Sequence, residues 1–181
     1  MTLSERTRDA VGTGGEVRYV ITAPHPVLSR TAEAVEPTDP KVVALAADLL
    51  ATMRAAPGCV GLAAPQVGVP VRLFAVDVTG HPRAGTTHGA FVLCNAEVLT
   101  ATRRRPGREG CLSVPSLTGD VKRATRLVVT GSLPGSGDEV TVTTDAFEAR
   151  ALLHEIDHCA GLLFLDRAAG AHAVHTRKVY R

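Results

Sequence analysis

The chain has no tryptophan, and aromatic residues make up only 3% of its 181 residues, so its core must rest on Val, Leu and Ala. No stretch approaches the roughly 18 uninterrupted apolar residues of a membrane-spanning helix, and no membrane span is expected. The first 16 residues are polar and glycine-rich, without the apolar middle of a secretory signal, so a cytoplasmic location is expected. An excess of one charge is also missing. The net charge is +2, too small to argue for specific nucleic-acid recognition, and no basic patch is interleaved with aromatics. Arg103-Arg104-Arg105, the densest basic run, reads as a solvated loop between two strands. There are four cysteines, Cys59, Cys94, Cys111 and Cys159. In a reducing compartment such thiols are expected to be buried or to bind metal, not to form disulfides.

What is present is a hydrophobic content of 45%, enough for one globular core in a chain of this length. Residues 1–17 read as a flexible lead-in, 18–167 as a single domain and 168–181 as a short, weakly patterned tail. Val17 to Thr22 is a brief extended run, broken by Pro24 and Pro26. Asp39-Pro40 opens a helix in which Val42, Leu45, Ala46, Leu49, Leu50 and Met53 keep helical spacing, and Pro57-Gly58 stops it. Strands are predicted over 72–78, 91–95, 97–102, 127–132 and 139–143. A last helix starts near Asp145, Gly161 ends it, and Leu162 to Leu165 reads as a buried extended run. Strands precede a late helix instead of alternating with helices, so the class is α+β.

That late helix carries His154-Glu155-Ile156-Asp157-His158. Two histidines four residues apart project about 40° from each other around a helix axis, so their rings can share one cation. Glu155 lies about 100° round from His154, within reach of a water on that cation. This is the H-E-x-x-H arrangement of metal hydrolases. Phe147, Ala151, Leu152 and Leu162 make its surroundings apolar, where unpaired imidazoles and carboxylates are costly to bury.

Such a centre needs a third protein ligand and an open position. Asp166, His172 and His175 stand downstream. Upstream, Glu109-Gly110-Cys111-Leu112-Ser113 offers a thiolate flanked by glycine, which suits iron or zinc; the alternative is an ordinary buried thiol. Gly61-Leu62-Ala63-Ala64-Pro65-Gln66 is a run of small residues ending in an amide. Gln66 reads either as an oxyanion donor or as a plain loop residue.

Together these three segments resemble the peptide deformylase family, which carries G-x-G-L-A-A-P-Q, E-G-C-L-S and H-E-x-D-H in that order. Pro24-His25-Pro26-Val27-Leu28 and Gly161 to Asp166 agree as well, so the resemblance spans residues 18 to 167. It implies an α+β domain, with antiparallel or mixed β-sheets packed around the central helix that carries the motif. It implies Cys111, His154 and His158 as ligands of one Fe²⁺, with Zn²⁺ or Ni²⁺ as substitutes, and Glu155 as catalytic acid/base. Gln66 and the Leu112 N–H would hold an oxyanion while a metal-activated water attacks a formyl carbon. The implied substrate is the N-formylmethionine of a newly made chain, its backbone paired beside Val60-Gly61 and its side chain against Val60, Leu112 and Ala151. A monomer is expected, and Arg177, Lys178 and Arg181 are candidates for ribosome contact.

The chain departs from the family pattern in places. Cys59 stands at the first glycine of the first segment, and Ser116-Leu117-Thr118 where the family often has an Arg or Tyr facing the peptide. Leu153 and Cys159 replace a common Gln and Leu beside the motif. Glu109 and Asp157 either orient a ligand or pair with Arg123. Three other functions use similar residues: a zinc endopeptidase with a downstream ligand, a cupredoxin-like copper site, and a deformylase relative that binds without turnover.

Overall fold

The computed structural model describes residues 1–178. Six strands form one antiparallel sheet. β1 (Gly61–Ala63), β2 (Leu73–Val76), β3 (Phe91–Cys111), β4 (Val114–Ser132) and β5 (Glu139–Asp145) neighbour one another in that order, and β6 (Val174–Thr176) pairs with β4. The alternation of β2 and β3 decides what packs where. Phe74, Val76, Phe91 and Leu93 point to the face covered by Ala149, Ala151 and Leu152 of helix α3 (Ala146–Cys159). Leu73, Ala75, Val92 and Cys94 point to the opposite face, against Leu45, Ala46, Leu49 and Met53 of helix α2 (Pro40–Ala55). Both faces of the short strands are therefore buried, which is why β2 reads as a continuous apolar run. This is the expected α+β architecture, with α3 as its central helix. None of the described helices is long and apolar enough to cross a membrane.

Helix α2 begins and ends as expected. Asp39 accepts a hydrogen bond from Lys41 N–H, Pro40 occupies the first turn, and the helix stops two residues before Pro57.

Four expectations need correction. Residues 3–11, expected to be a flexible lead-in, form helix α1 (Leu3–Val11). Thr2 and Glu5 close a reciprocal capping box, and Thr7 and Val11 are buried. Arg103, Arg104 and Arg105 are not in a loop. The strands expected over 91–95 and 97–102 merge and run on through the arginines as the 21-residue β3, whose register slips at bulges near Cys94 to Glu97 and Val98 to Thr100. Ten successive residues from Glu97 to Pro106 are exposed, and Arg side chains with Pro106 guard this lone edge against pairing with another chain. Leu162 to Leu165 is not extended: Phe164 starts a one-turn helix, α4 (Phe164–Arg167), and Asp166 caps Leu163 N–H at 2.7 Å. Lastly, the tail supplies β6, whose pairing Thr118↔His175 adds a rung to the far side of β4.

Candidate active site

Three elements bring the site together. β3 and β4 form a hairpin whose turn is Leu112-Ser113, so Cys111 sits at its tip, with Cys111 paired to Val114. Helix α3 passes behind, and the 64–67 turn that follows β1 closes the third side. The candidate ligand atoms of Cys111, His154 and His158 lie within 4.8 Å of one another. The downstream candidates go elsewhere: Asp166 caps Leu163, and His175 meets Asp120 at 2.9 Å.

The donor set fits a borderline-soft divalent ion. Its surroundings fit too. Glu109 Oε2 lies 3.0 Å from His154 Nδ1, which leaves Nε2 available to a metal, an arrangement like the carboxylate–histidine support of known metal sites. Cys111 Sγ lies 3.4 Å from His158 Nε2. Burial drives His158 well below the ordinary imidazole range, so its ring is neutral, the form that binds metal. At His154 burial opposes the charged ring, but hydrogen bonds to Cys111 and Glu109 outweigh it and raise the pKa. Metal binding there is coupled to proton release.

Glu109 does both things the sequence left open, and Asp157 only the second. Glu109 orients His154 and also takes Arg123 Nε at 2.9 Å and Arg150 Nη1 at 2.7 Å. Asp157 accepts from Arg123 Nη1 and from Arg167 Nη2. Burial alone would raise the Glu109 carboxyl, but His154 and the Arg123 guanidinium hold it at about 2. Arg150 was not singled out by the sequence, and it also ties β3 to β4 through Arg105 O and Val121 O, each at 2.9 Å.

Gln66 is only 2% exposed, and its amide orientation is fixed. Ala63 N–H donates to Oε1 at 2.9 Å, which turns Nε2 toward Cys111 Sγ at 3.4 Å and Ser113 Oγ at 3.2 Å. Gln66 is therefore a fixed donor beside the candidate metal site, not a plain loop residue.

Glu155 is 3% exposed, and its Oε2 meets no partner. Burial pushes its carboxyl up to about 7, although the neighbouring His154 pulls it down. A carboxyl poised near neutrality can take up and release a proton under working conditions. Gly61 packs directly on it, and a Cβ there would overlap Glu155 Oε1.

These residues meet at a cleft lined by Val60, Gly61, Leu112 and Ala151, and Gln66, Cys111, His154 and Glu155 also reach it. His158 lies behind them, 1% exposed. β1 is an end strand, so its outer edge is open to the cleft. Val60 O accepts from Asp77 N–H toward β2; by alternation the N–H and C=O of Gly61 face the other way. Cys59 Sγ donates to Gly61 O at 3.1 Å. The opposite wall carries no sequence signal: there Phe147 stacks on His81 with ring centroids 3.6 Å apart. Only the packing of the 80–89 loop on α3 reveals it.

A near-neutral buried acid beside a candidate metal site, at the foot of an open cleft, is an enzyme's arrangement. Residues 17–173 match the family described as polypeptide deformylase. The peptide deformylase of Halothermothrix orenii is 42% identical over 142 residues, covering 78% of this chain and 87% of that protein. The crystal structure of the peptide deformylase from Ehrlichia chaffeensis superimposes with a TM-score of 0.79 at 30% identity, covering 87% of this chain and 90% of that one. A Met-Ala-Ser-bound deformylase from Acinetobacter baumannii gives 0.76 at 33% identity, over 83% of this chain and 99% of its own. The chain belongs to the peptide deformylase family, a family of metal-dependent enzymes that act on formylated nascent peptides.

Proposed function

We propose that this protein removes the formyl group from the N-formylmethionine of newly synthesised polypeptides and releases formate. The observation that carries the proposal is the convergence of Gln66, Cys111, His154, Glu155 and His158 at one cleft, from segments far apart in the chain. Cys111, His154 and His158 would hold one Fe²⁺, or Zn²⁺ or Ni²⁺ in its place. Such an ion supplies Lewis acidity, which lowers the pKa of a water and polarises the formyl carbonyl. Glu155 takes the proton of the attacking water and returns it to the leaving amine. Gln66 Nε2 and the Leu112 N–H stabilise the charge that develops on the formyl oxygen. The open edge of β1 at Val60-Gly61 receives the peptide backbone as an added strand, and Val60, Leu112 and Ala151 take the methionine side chain.

The protein works in this reading as a cytoplasmic monomer, near the ribosome where its substrate emerges. Arg177 and Lys178 are exposed and available for such a contact; Arg181 lies outside the described residues. Formate release from formyl-Met-Ala-Ser by anaerobic, Fe²⁺-loaded protein tests the activity. Absence of formate with metal bound and the fold intact would replace this reading by one of binding alone. Cys111→Ala should lose both metal and activity; retention of both would favour an endopeptidase with a downstream ligand.

A further inference from the structure

The cleft carries more positive charge than the proposed chemistry uses. Four guanidinium groups line it, those of Arg83, Arg108, Arg150 and Arg177. Two are neutralised within the protein: Arg150 pairs with Glu109, and Arg108 with Asp120, each at 2.7 Å. Arg83 and Arg177 have no carboxylate within ion-pair distance among the described residues. The acids of the cleft cannot serve them, since Glu109 is committed to Arg123, Arg150 and His154 and Glu155 is buried.

Arg177 is held in place. Its N–H donates to Ser116 O at 2.9 Å, at the end of the β4–β6 ladder. Its guanidinium lies against Gly110, where a Cβ would come within 2.8 Å of Arg177 Nη2. The missing side chain at 110 thus lets a cation rest over the backbone one residue before Cys111. Arg83 is also oriented, 5.1 Å from the centre of the Phe147 ring. Beyond Arg83 and Phe147 the surface continues as a groove walled by Arg104 and Arg126, so the positive field extends outward from the cleft.

We infer that Arg177 selects among formylated peptides, favouring those with an acidic side chain downstream of the methionine and disfavouring those with lysine. The inference rests on the deformylase reading. A carboxylate arriving in the cleft gains an unpaired guanidinium, and an ammonium meets like charge. The site is exposed, so the effect is modest and screened by salt.

The test compares kcat/KM for formyl-Met-Ala-Glu amide and formyl-Met-Ala-Lys amide, with formyl-Met-Ala-Ser amide as reference, using the Fe²⁺-loaded full chain. The expected preference for Glu over Lys is about five-fold at low salt, expressed in KM with kcat unchanged, and it shrinks at high salt. Arg177→Ala should bring the ratio close to one, Arg177→Glu should invert it, and Arg177→Lys should keep most of it. An unchanged ratio in Arg177→Ala and Arg177→Glu, with the Ser peptide turned over normally, would overturn this inference alone. Failure of the wild-type, metal-loaded protein to release formate from any of the three would remove the deformylase reading and this inference with it.

Discussion

Glu109 and His154 form a carboxylate–imidazole pair at 3.0 Å, and the same carboxylate is anchored by the guanidinium groups of Arg123 and Arg150. One side chain thus sets the tautomer of a candidate ligand and fastens β3 to β4 and α3. Glu109→Gln should therefore weaken metal binding by about 10- to 100-fold and lower stability by about 3 kcal/mol, because the buried Arg150 loses its carboxylate and Arg123 keeps only Asp157. Metal titration and urea denaturation measure the two effects separately. Normal metal affinity in the variant would deny Glu109 its orienting role.

The same carboxyl makes stability depend on acid. It is held at about 2 in the fold, against an ordinary value of 4.5. Its contribution is complete above 4.5 and is lost as the pH falls from there toward 2, a decline on the order of 3 kcal/mol. Urea denaturation of the metal-free protein from about pH 6 down to about pH 3, at roughly unit steps, should show the first part of that decline in the wild type, on the order of 2 kcal/mol. Glu109→Gln should be flatter over the same range, and parallel curves would refute the assignment.

Glu155→Gln should keep the metal and the fold while formate release falls by about 10² to 10⁴, the usual worth of a positioned acid/base. Measured together, metal content and formate release distinguish this outcome from Cys111→Ala, which should lose both. Full activity in Glu155→Gln would remove Glu155 from the chemistry.

Gly61→Ala tests the packing of β1 on that acid. The added methyl would overlap Glu155 Oε1, so Glu155 must rotate or β1 must shift. Turnover should fall at least ten-fold while the melting temperature changes by only a few degrees, since the clash is with a side chain at the cleft and not with the core. Wild-type turnover would show that Glu155 has room to spare.

Thr2→Ala addresses helix α1. Loss of the reciprocal cap with Glu5 should cost about 1 kcal/mol, seen as a lower denaturation midpoint with formate release unaffected. A cost near zero would mean that α1 contributes little to the stability of the domain.

The sequence made some of this legible and concealed the rest for identifiable reasons. α2 and α3 could be read because their apolar positions repeat at helical spacing and Asp39, Pro40 and Gly161 mark their ends. The candidate site could be read because its chemistry is concentrated in three short segments. The continuation of β3 beyond Thr102 was hidden, since Arg103 to Pro106 is exposed throughout and so shows no alternation. The first half of β4 was masked by Asp120, Lys122 and Arg123, of which Lys122 faces solvent while Arg123 is buried in the site. Helix α1 had a readable signal, Thr2 three residues before Glu5, that was outweighed by its polar composition. The tail's contribution to the cleft could not have been foreseen, because Arg177 acquires its place only through the β6 ladder on β4.

Segment order along the chain has a consequence for how the enzyme matures. Gln66 and Cys111 are in place long before His154 and His158 have been synthesised, and β6 follows later still. Closing contacts over such separations carries an entropic cost that is recovered only when the last partner arrives. No early fragment can therefore assemble the ligand set, and catalytic competence should switch on abruptly once helix α3 docks.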